Sequence, residues 1–182
     1  MCIRDRFNTT GASNTAVGVQ ALQANTTASS NTAVGYQAGY LNTTGSDNVC
    51  IGYKAGYAIT TGSYNVSIGR LSMDSSAGVT GNFNDAIGNG TLRNVTSGSS
   101  NKAFGTGSLS LLTTGSYNVG VGQDALKSNT TASYNTAVGY QAGLSNTTGV
   151  SMVAVGYNAL DANTTGDSNT AVGESALSLI HI

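Results

Sequence analysis

Acid–base or nucleophilic catalysis needs titratable side chains that converge on one point. Asp47, Asp74, Asp85, Asp124, Asp161, Asp167 and Glu174 are spread over the chain at unrelated spacings, and the one histidine, His181, stands next to the last residue. No triad and no His-bearing zinc site can be assembled from them. Calcium-binding repeats carry aspartate at a fixed place in every unit, and no such series exists here, so no catalytic, cofactor or metal site is expected and the chain reads as no enzyme. Gly120-Val121-Gly122-Gln123-Asp124-Ala125 matches a dinucleotide fingerprint, but no βαβ unit surrounds it. Cys50 has no framework of partners and reads as a buried structural thiol. What remains with chemistry is repetitive: nine tyrosines, many Asn and many paired Thr.

The tyrosines fall into series. Tyr36, Tyr53, Tyr140 and Tyr157 each follow a glycine, Tyr64, Tyr117 and Tyr134 each precede an asparagine, and Tyr40 and Tyr57 form a third set. Stacked rings of this kind stabilise a half-buried surface. They also suit the apolar faces of sugars, and Tyr36, Tyr53, Tyr140 and Tyr157 are the candidate glycan contacts. Asn25, Asn42, Asn129, Asn146 and Asn163 open Asn-Thr-Thr triplets that are formal glycosylation sequons, though in a turn they read as local backbone caps. Regular threonine ranks on a flat solenoid suit ice, but neighbouring side chains point to opposite faces of a strand, so one rank per unit would be exposed.

Composition narrows the classes further. The 182 residues are 8% charged and 39% hydrophobic, with 25 glycines, no proline, no tryptophan and a net charge of −1. There is no basic excess to hold a phosphate backbone, so no nucleic-acid partner is expected. No apolar run reaches the ~18 residues of a membrane span, so no membrane insertion by this segment is expected. Pro, Lys and Glu, the usual marks of disorder, are absent or scarce.

The two ends read differently from the rest. Met1-Cys2-Ile3-Arg4-Asp5-Arg6 and Leu177-Ser178-Leu179-Ile180-His181-Ile182 back-translate to strings that are reverse complements of one another, shifted by one base. The shared string is similar to the mosaic end of a transposon used to prepare sequencing libraries. Residues 1–6 and 177–182 therefore read as adapter-derived tails outside the fold, although Leu177 also fits the repeat. Residues 7–176 are expected to be a repeat domain cut from a longer protein. Without the tails, Lys plus Arg falls from 7 to 5 and Asp plus Glu from 8 to 7, a net charge of −2.

That domain is governed by one recurring glycine: Gly18, Gly35, Gly52, Gly69, Gly88, Gly105, Gly122, Gly139, Gly156 and Gly173. The spacing is 17 residues except between Gly69 and Gly88, where it is 19, with the extra pair expected within Asp74–Thr80. One residue before each glycine stands a large apolar side chain: Val17, Val34, Ile51, Ile68, Ile87, Phe104, Val121, Val138, Val155 and Val172. Two before stands a small residue, such as Ala16, Ala33, Cys50, Ser67 or Gly120, and four before stands Asn in nine of ten repeats, with Met152 the exception. Seventeen residues cannot enclose a core alone, but stacked units cover one another. The fold class expected is all-β, a repetitive β-solenoid or parallel β-roll of ten ~17-residue coils. Asn-x-Ala-Val is its strand, and Thr-Thr-Gly is its turn, with glycine free to take positive φ. The Gly-Tyr-Gln-Ala-Leu leg reads equally as extended chain or a helical turn, and the Asn series reads as an inward amide ladder.

In a narrow two-legged coil only small side chains fit between the legs. The large apolar column then faces outward. At about 4.8 Å per coil it would form a stripe some 48 Å long, which soluble monomers rarely leave uncovered. Self-association around Val17, Val34, Ile51, Ile68, Ile87, Phe104, Val121, Val138, Val155 and Val172 is the economical solution, and a three-fold bundle buries them on its axis.

Asn31-Thr32-Ala33-Val34-Gly35-Tyr36-Gln37-Ala38-Gly39 and Asn135-Thr136-Ala137-Val138-Gly139-Tyr140-Gln141-Ala142-Gly143 resemble repeats of phage tail fibres and related bacterial surface proteins. The Ala-Val-Gly core also resembles the head repeats of trimeric autotransporter adhesins, whose unit is shorter than 17. The resemblance implies a left-handed β-roll assembled as a homotrimer. It implies an extracellular place on a virion tail or bacterial surface, and a mechanical role in host or surface attachment. The partners implied are two sister chains and a cell-surface glycan or receptor. The competing reading is a monomeric β-solenoid binding module for ice or glycans.

Overall fold

The computed structural model describes residues 7–178, and the tails at 1–6 and 179–182 lie outside the described residues. Ten three-residue strands recur in chain order: Thr15–Val17 (β1), Thr32–Val34 (β2), Val49–Ile51 (β3), Val66–Ile68 (β4), Asp85–Ile87 (β5), Lys102–Phe104 (β6), Val119–Val121 (β7), Thr136–Val138 (β8), Val153–Val155 (β9) and Thr170–Val172 (β10). They form one ten-stranded parallel sheet in sequential order. Register is exact to the residue: Ala16 lies over Ala33, Ala33 over Cys50, and Cys50 over Ser67. The described chain is therefore an all-β solenoid of ~17-residue coils with no helix, as the repeat implies.

Each strand buries its middle residue and turns its third outward. Opposite that small buried residue lies the second leg of the coil. A methyl group on Gly39 would sit 3.8 Å from Ala33 Cβ and 3.7 Å from Cys50 Sγ. Leu92, Leu109, Leu126, Leu160 and Met73 fill the same leg position in other coils, all fully buried, each worth about 2–3 kcal/mol of transfer free energy. Where glycine replaces them, a neighbour occupies the room: Leu22 Cδ2 lies 2.9 Å from the missing methyl of Gly39, and Leu126 Cδ2 2.9 Å from that of Gly143.

The second leg is neither extended nor helical. Its residues alternate the sign of φ: Gly35 at +135°, Gln37 at +53° and Gly39 at +59°, with Leu109, Leu126 and Leu160 holding the last position at +50° to +52° in other coils. The left-handed conformation costs about 1–2 kcal/mol for a side-chain-bearing residue. It is sustained because the leg then bonds in both axial directions: Gln37 N–H donates to Val19 O in one neighbour (2.9 Å), and Gly39 N–H to Ala55 O in the other (3.0 Å).

The repeat glycine is required twice over. Gly35 has φ +135°, and a Cβ there would lie 2.8 Å from the carbonyl carbon of Gly52 in the next coil. The glycine of the Thr-Thr-Gly turn corrects an expectation. Gly45, Gly62 and Gly115 do not take positive φ, and the left-handed turn residue is instead the one before the Asn, such as Asp47 (φ 59°) or Tyr64 (φ 58°). Where glycine holds this column a Cβ would crowd the carbonyl of the next coil, yet Ala28 and Ala132 fill the same column, so the turn admits a methyl group in those coils. The two extra residues between Gly69 and Gly88 fall between Met73 and Gly81, within the expected segment; Val79 there bridges in parallel to Ile59.

Candidate functional site

The interior is held by an amide ladder. Asn84, Asn101, Asn118 and Asn135 are fully buried. Asn84 Oδ1 accepts from the main-chain N–H of Asn101 at 3.0 Å and from its Nδ2 at 3.0 Å, while Asn101 Nδ2 also donates to Gly115 O at 2.9 Å across the coil. The ladder stops at Met152, whose Sδ instead accepts from Asn163 Nδ2 at 2.7 Å.

The second Asn series is equally inward. Asn42 Oδ1 accepts from Gly45 N–H (3.0 Å) and its Nδ2 donates to Gly45 O (2.8 Å), so it caps the turn. Asn25, Asn42, Asn129, Asn146 and Asn163 are at most 5% exposed, which closes these sequons to glycosylation in the folded chain. In the middle coils Ile59, Val95 and Leu112 take this place and are fully buried. The first threonine of each pair spends its hydroxyl on the next coil, as Thr43 Oγ1 does on Thr60 O at 3.1 Å. Thr27, Thr44, Thr114, Thr131 and Thr148 stay exposed, one rank per coil.

Gly120 and Cys50 have structural roles. A Cβ on Gly120 would lie 2.5 Å from Ser108 Oγ, whose hydroxyl donates to Gly120 O at 3.0 Å. The dinucleotide-like string is thus a packing adjustment inside the coil. Burial raises the Cys50 thiol from its ordinary 9.0 to about 12, which leaves no thiolate for chemistry at neutral pH. Among the described residues no three of His, Cys, Asp and Glu come together as a metal could require.

The large apolar column lies on the outside of the sheet, from Val17 at one end to Val172 at the other. Val34, Ile51, Ile87 and Val138 are 37–39% exposed, the end members Val17 and Val172 are 54% and 70% exposed, and Ile68, Phe104, Val121 and Val155 are half-buried. Beside it runs the first outward residue of each strand, valine at Val49, Val66, Val119 and Val153 and threonine at Thr15, Thr32, Thr136 and Thr170. Asp85 and Lys102 interrupt that second column and pair at 2.7 Å across adjacent coils.

The tyrosines stack as neighbours in separate pairs. Tyr36 lies on Tyr53 at 5.4 Å and Tyr140 on Tyr157 at 5.3 Å, all four rings 40–52% exposed. Arg70, Asn89, Thr106 and Gln123 occupy the same column between the pairs, so the four candidate glycan contacts form two sites rather than one. Tyr40–Tyr57, Tyr117–Tyr134 and Tyr64–Phe83 make further stacks.

No family model, curated protein or solved structure matches the chain.

Proposed function

We propose that this chain is a structural segment of a homotrimeric tail fibre or surface adhesin, outside the cell, whose stacked coils carry an attachment function away from its base. The observation that carries the reading is the outward Val/Ile face. It runs without a gap over ten coils, on one side of a sheet whose strands are parallel and in register. Such a face on a lone chain is an aggregation hazard. Three copies placed strand side inward give every coil the same partner contact, so a rod of any length closes by the same geometry. Val17, Val34, Ile51, Ile68, Ile87, Phe104, Val121, Val138, Val155 and Val172 are its contacts. Chemical cross-linking of the purified chain tests this. A ladder ending at three chains, collapsed to one chain by Ile51→Asp with Val121→Asp, is the expected result, and a wild-type chain that yields no oligomer refutes it.

The monomeric alternative has one observation in its favour, the exposed second-threonine rank at coil spacing. A monomer that shows thermal hysteresis, lost on Thr44→Lys, would establish that reading in place of the first.

A further inference from the structure

The charges of the described chain are segregated. Lys102 is paired on the strand face, but Lys54, Arg70, Arg93 and Lys127 all lie on the second leg of the third to seventh coils, accompanied by Asp74 and Asp124. Four cations against two acids make this patch positive on a repeat domain whose net charge is −2. Lys127 pairs with Asp124 at 3.1 Å. Arg70 and Arg93 are exposed and have no ion pair among the described residues.

The same patch is hollow. A groove of about 420 Å³ is lined by Arg70, Arg93, Asp124 and Lys127 over a floor that includes Gly90 and Gly107. Those glycines interrupt a column that elsewhere holds Gln20, Gln37, Lys54, Leu71, Asp124 and Gln141. The column is left-handed in every case, and glutamine adopts it at φ 53–61°, so backbone shape does not demand glycine. Nor does space at Gly90, where a Cβ would meet nothing within 4 Å. The missing side chain at Gly90 leaves an open trough with guanidinium groups at its side, whereas beside Gly107 the room is taken by Asp124 Oδ1, 2.5 Å from where a Cβ would stand. Arg70 lies 5.7 Å from the ring centre of Tyr53, which stands outside the groove's lining.

We propose that this groove binds a linear acidic saccharide, one bearing carboxylate or sulfate groups. Arginine forks match either anion in two-point contacts, and Asn89, Asn94, Thr106 and Ser110, which also line the groove, offer hydrogen-bond partners to sugar hydroxyls. Arg70 and Arg93 stand on successive coils, about 4.8 Å apart along the axis, close to the length of one pyranose in a chain. Single-stranded nucleic acid fits less well: it needs aromatic faces for base stacking, and no aromatic side chain lines the groove. The groove lies on the opposite leg from the Val/Ile face, so this inference stands whether the chain is a monomer or a trimer, and in a trimer three such grooves add avidity.

The test is calorimetric titration of the full chain with oligogalacturonate, sulfated dextran, neutral dextran and an oligothymidylate of equal length. Binding of oligogalacturonate or sulfated dextran, at least tenfold tighter than neutral dextran or oligothymidylate, is expected. Which of the two binds tighter identifies the anion. Arg70→Gln with Arg93→Gln should weaken it tenfold or more. Gly90→Gln, which fills the trough with a side chain the column already accepts, should do the same without altering charge, while Lys102→Gln should leave it unchanged. Absence of binding, equal binding of neutral dextran or oligothymidylate, or equal loss with Lys102→Gln would overturn the proposal.

Discussion

Replacing Asn101 by alanine removes four hydrogen bonds at once. Its Oδ1 accepts from Asn118 N–H (3.0 Å) and Asn118 Nδ2 (3.0 Å), and its Nδ2 donates to Asn84 Oδ1 (3.0 Å) and Gly115 O (2.9 Å). Two of the four partners survive the loss, because Asn118 Nδ2 keeps Ala132 O and Asn84 Oδ1 keeps the Asn101 main chain. The Asn118 N–H and Gly115 C=O lose their partner. The Asn118 and Gly115 sites are both buried, where an orphaned polar group costs about 1–3 kcal/mol. The expected loss is therefore about 4 kcal/mol from the two groups together, a large share of an ordinary domain's stability. Asn101→Asp keeps both accepting bonds but turns an oxygen toward Asn84 Oδ1 and Gly115 O, so it should fall at least as far. The assay is urea unfolding followed by circular dichroism, with hydrogen exchange at the Asn118 amide as a local readout. Asn94→Ala, on the exposed second leg, is the control and should stay within about 0.5 kcal/mol of wild type. An Asn101→Ala chain that unfolds within 1 kcal/mol of that control, or retains protection at Asn118, would refute the ladder as a stabilising element.

Other consequences follow from the same coil. Gly139→Ala places a Cβ at φ +140° and 2.7 Å from the Gly156 carbonyl carbon; thermal melts should show a loss of about 2–4 kcal/mol, against about 1–2 kcal/mol for Gly90→Ala, which meets left-handed strain alone in its open site. Ser151 is exposed at φ 58°, so Ser151→Gly relieves left-handed strain at some entropic cost and should raise stability by about 0.5 kcal/mol. The Cys50 thiol, raised from 9.0 to about 12, keeps its proton in the fold while the unfolded thiol releases it. Its contribution is thus fully present below pH ~9 and is lost as pH rises toward 12; Cys50→Ala, the commonest residue of its column, should flatten that decline in denaturant titrations. The native thiol should also resist a disulfide reagent until the chain unfolds.

The strand leg was legible from residue type alone, because a period-two pattern of Asn, small and β-branched residues before a fixed glycine admits one arrangement in a stacked coil. The second leg was not. Gln37, Lys54, Leu126 and Leu160 take left-handed φ without the glycine or asparagine that usually announces it. Their cost is offset by bonds to neighbouring coils, which a single repeat does not display. The turn's positive φ falls on the residue before the Asn rather than on the glycine for the same reason: Asp47 and Tyr64 bond through their N–H groups to the neighbouring coil. The three glycines in a column of Leu and Met are accounted for by neighbours such as Leu22, which fills the space over Gly39. The groove had a signal in Gly90 and Gly107, two glycines in a column of longer side chains, but the charges beside it come from different columns and meet through the stacking.

Small-angle scattering from residues 7–176 measures mass and shape together and bears most directly on the assembly. A particle of three chains whose length remains near the ~48 Å of one ten-coil stack is the predicted result, with Val and Ile faces turned to a common axis. A particle with the mass of one chain, or one of three chains about three times that length, would contradict it.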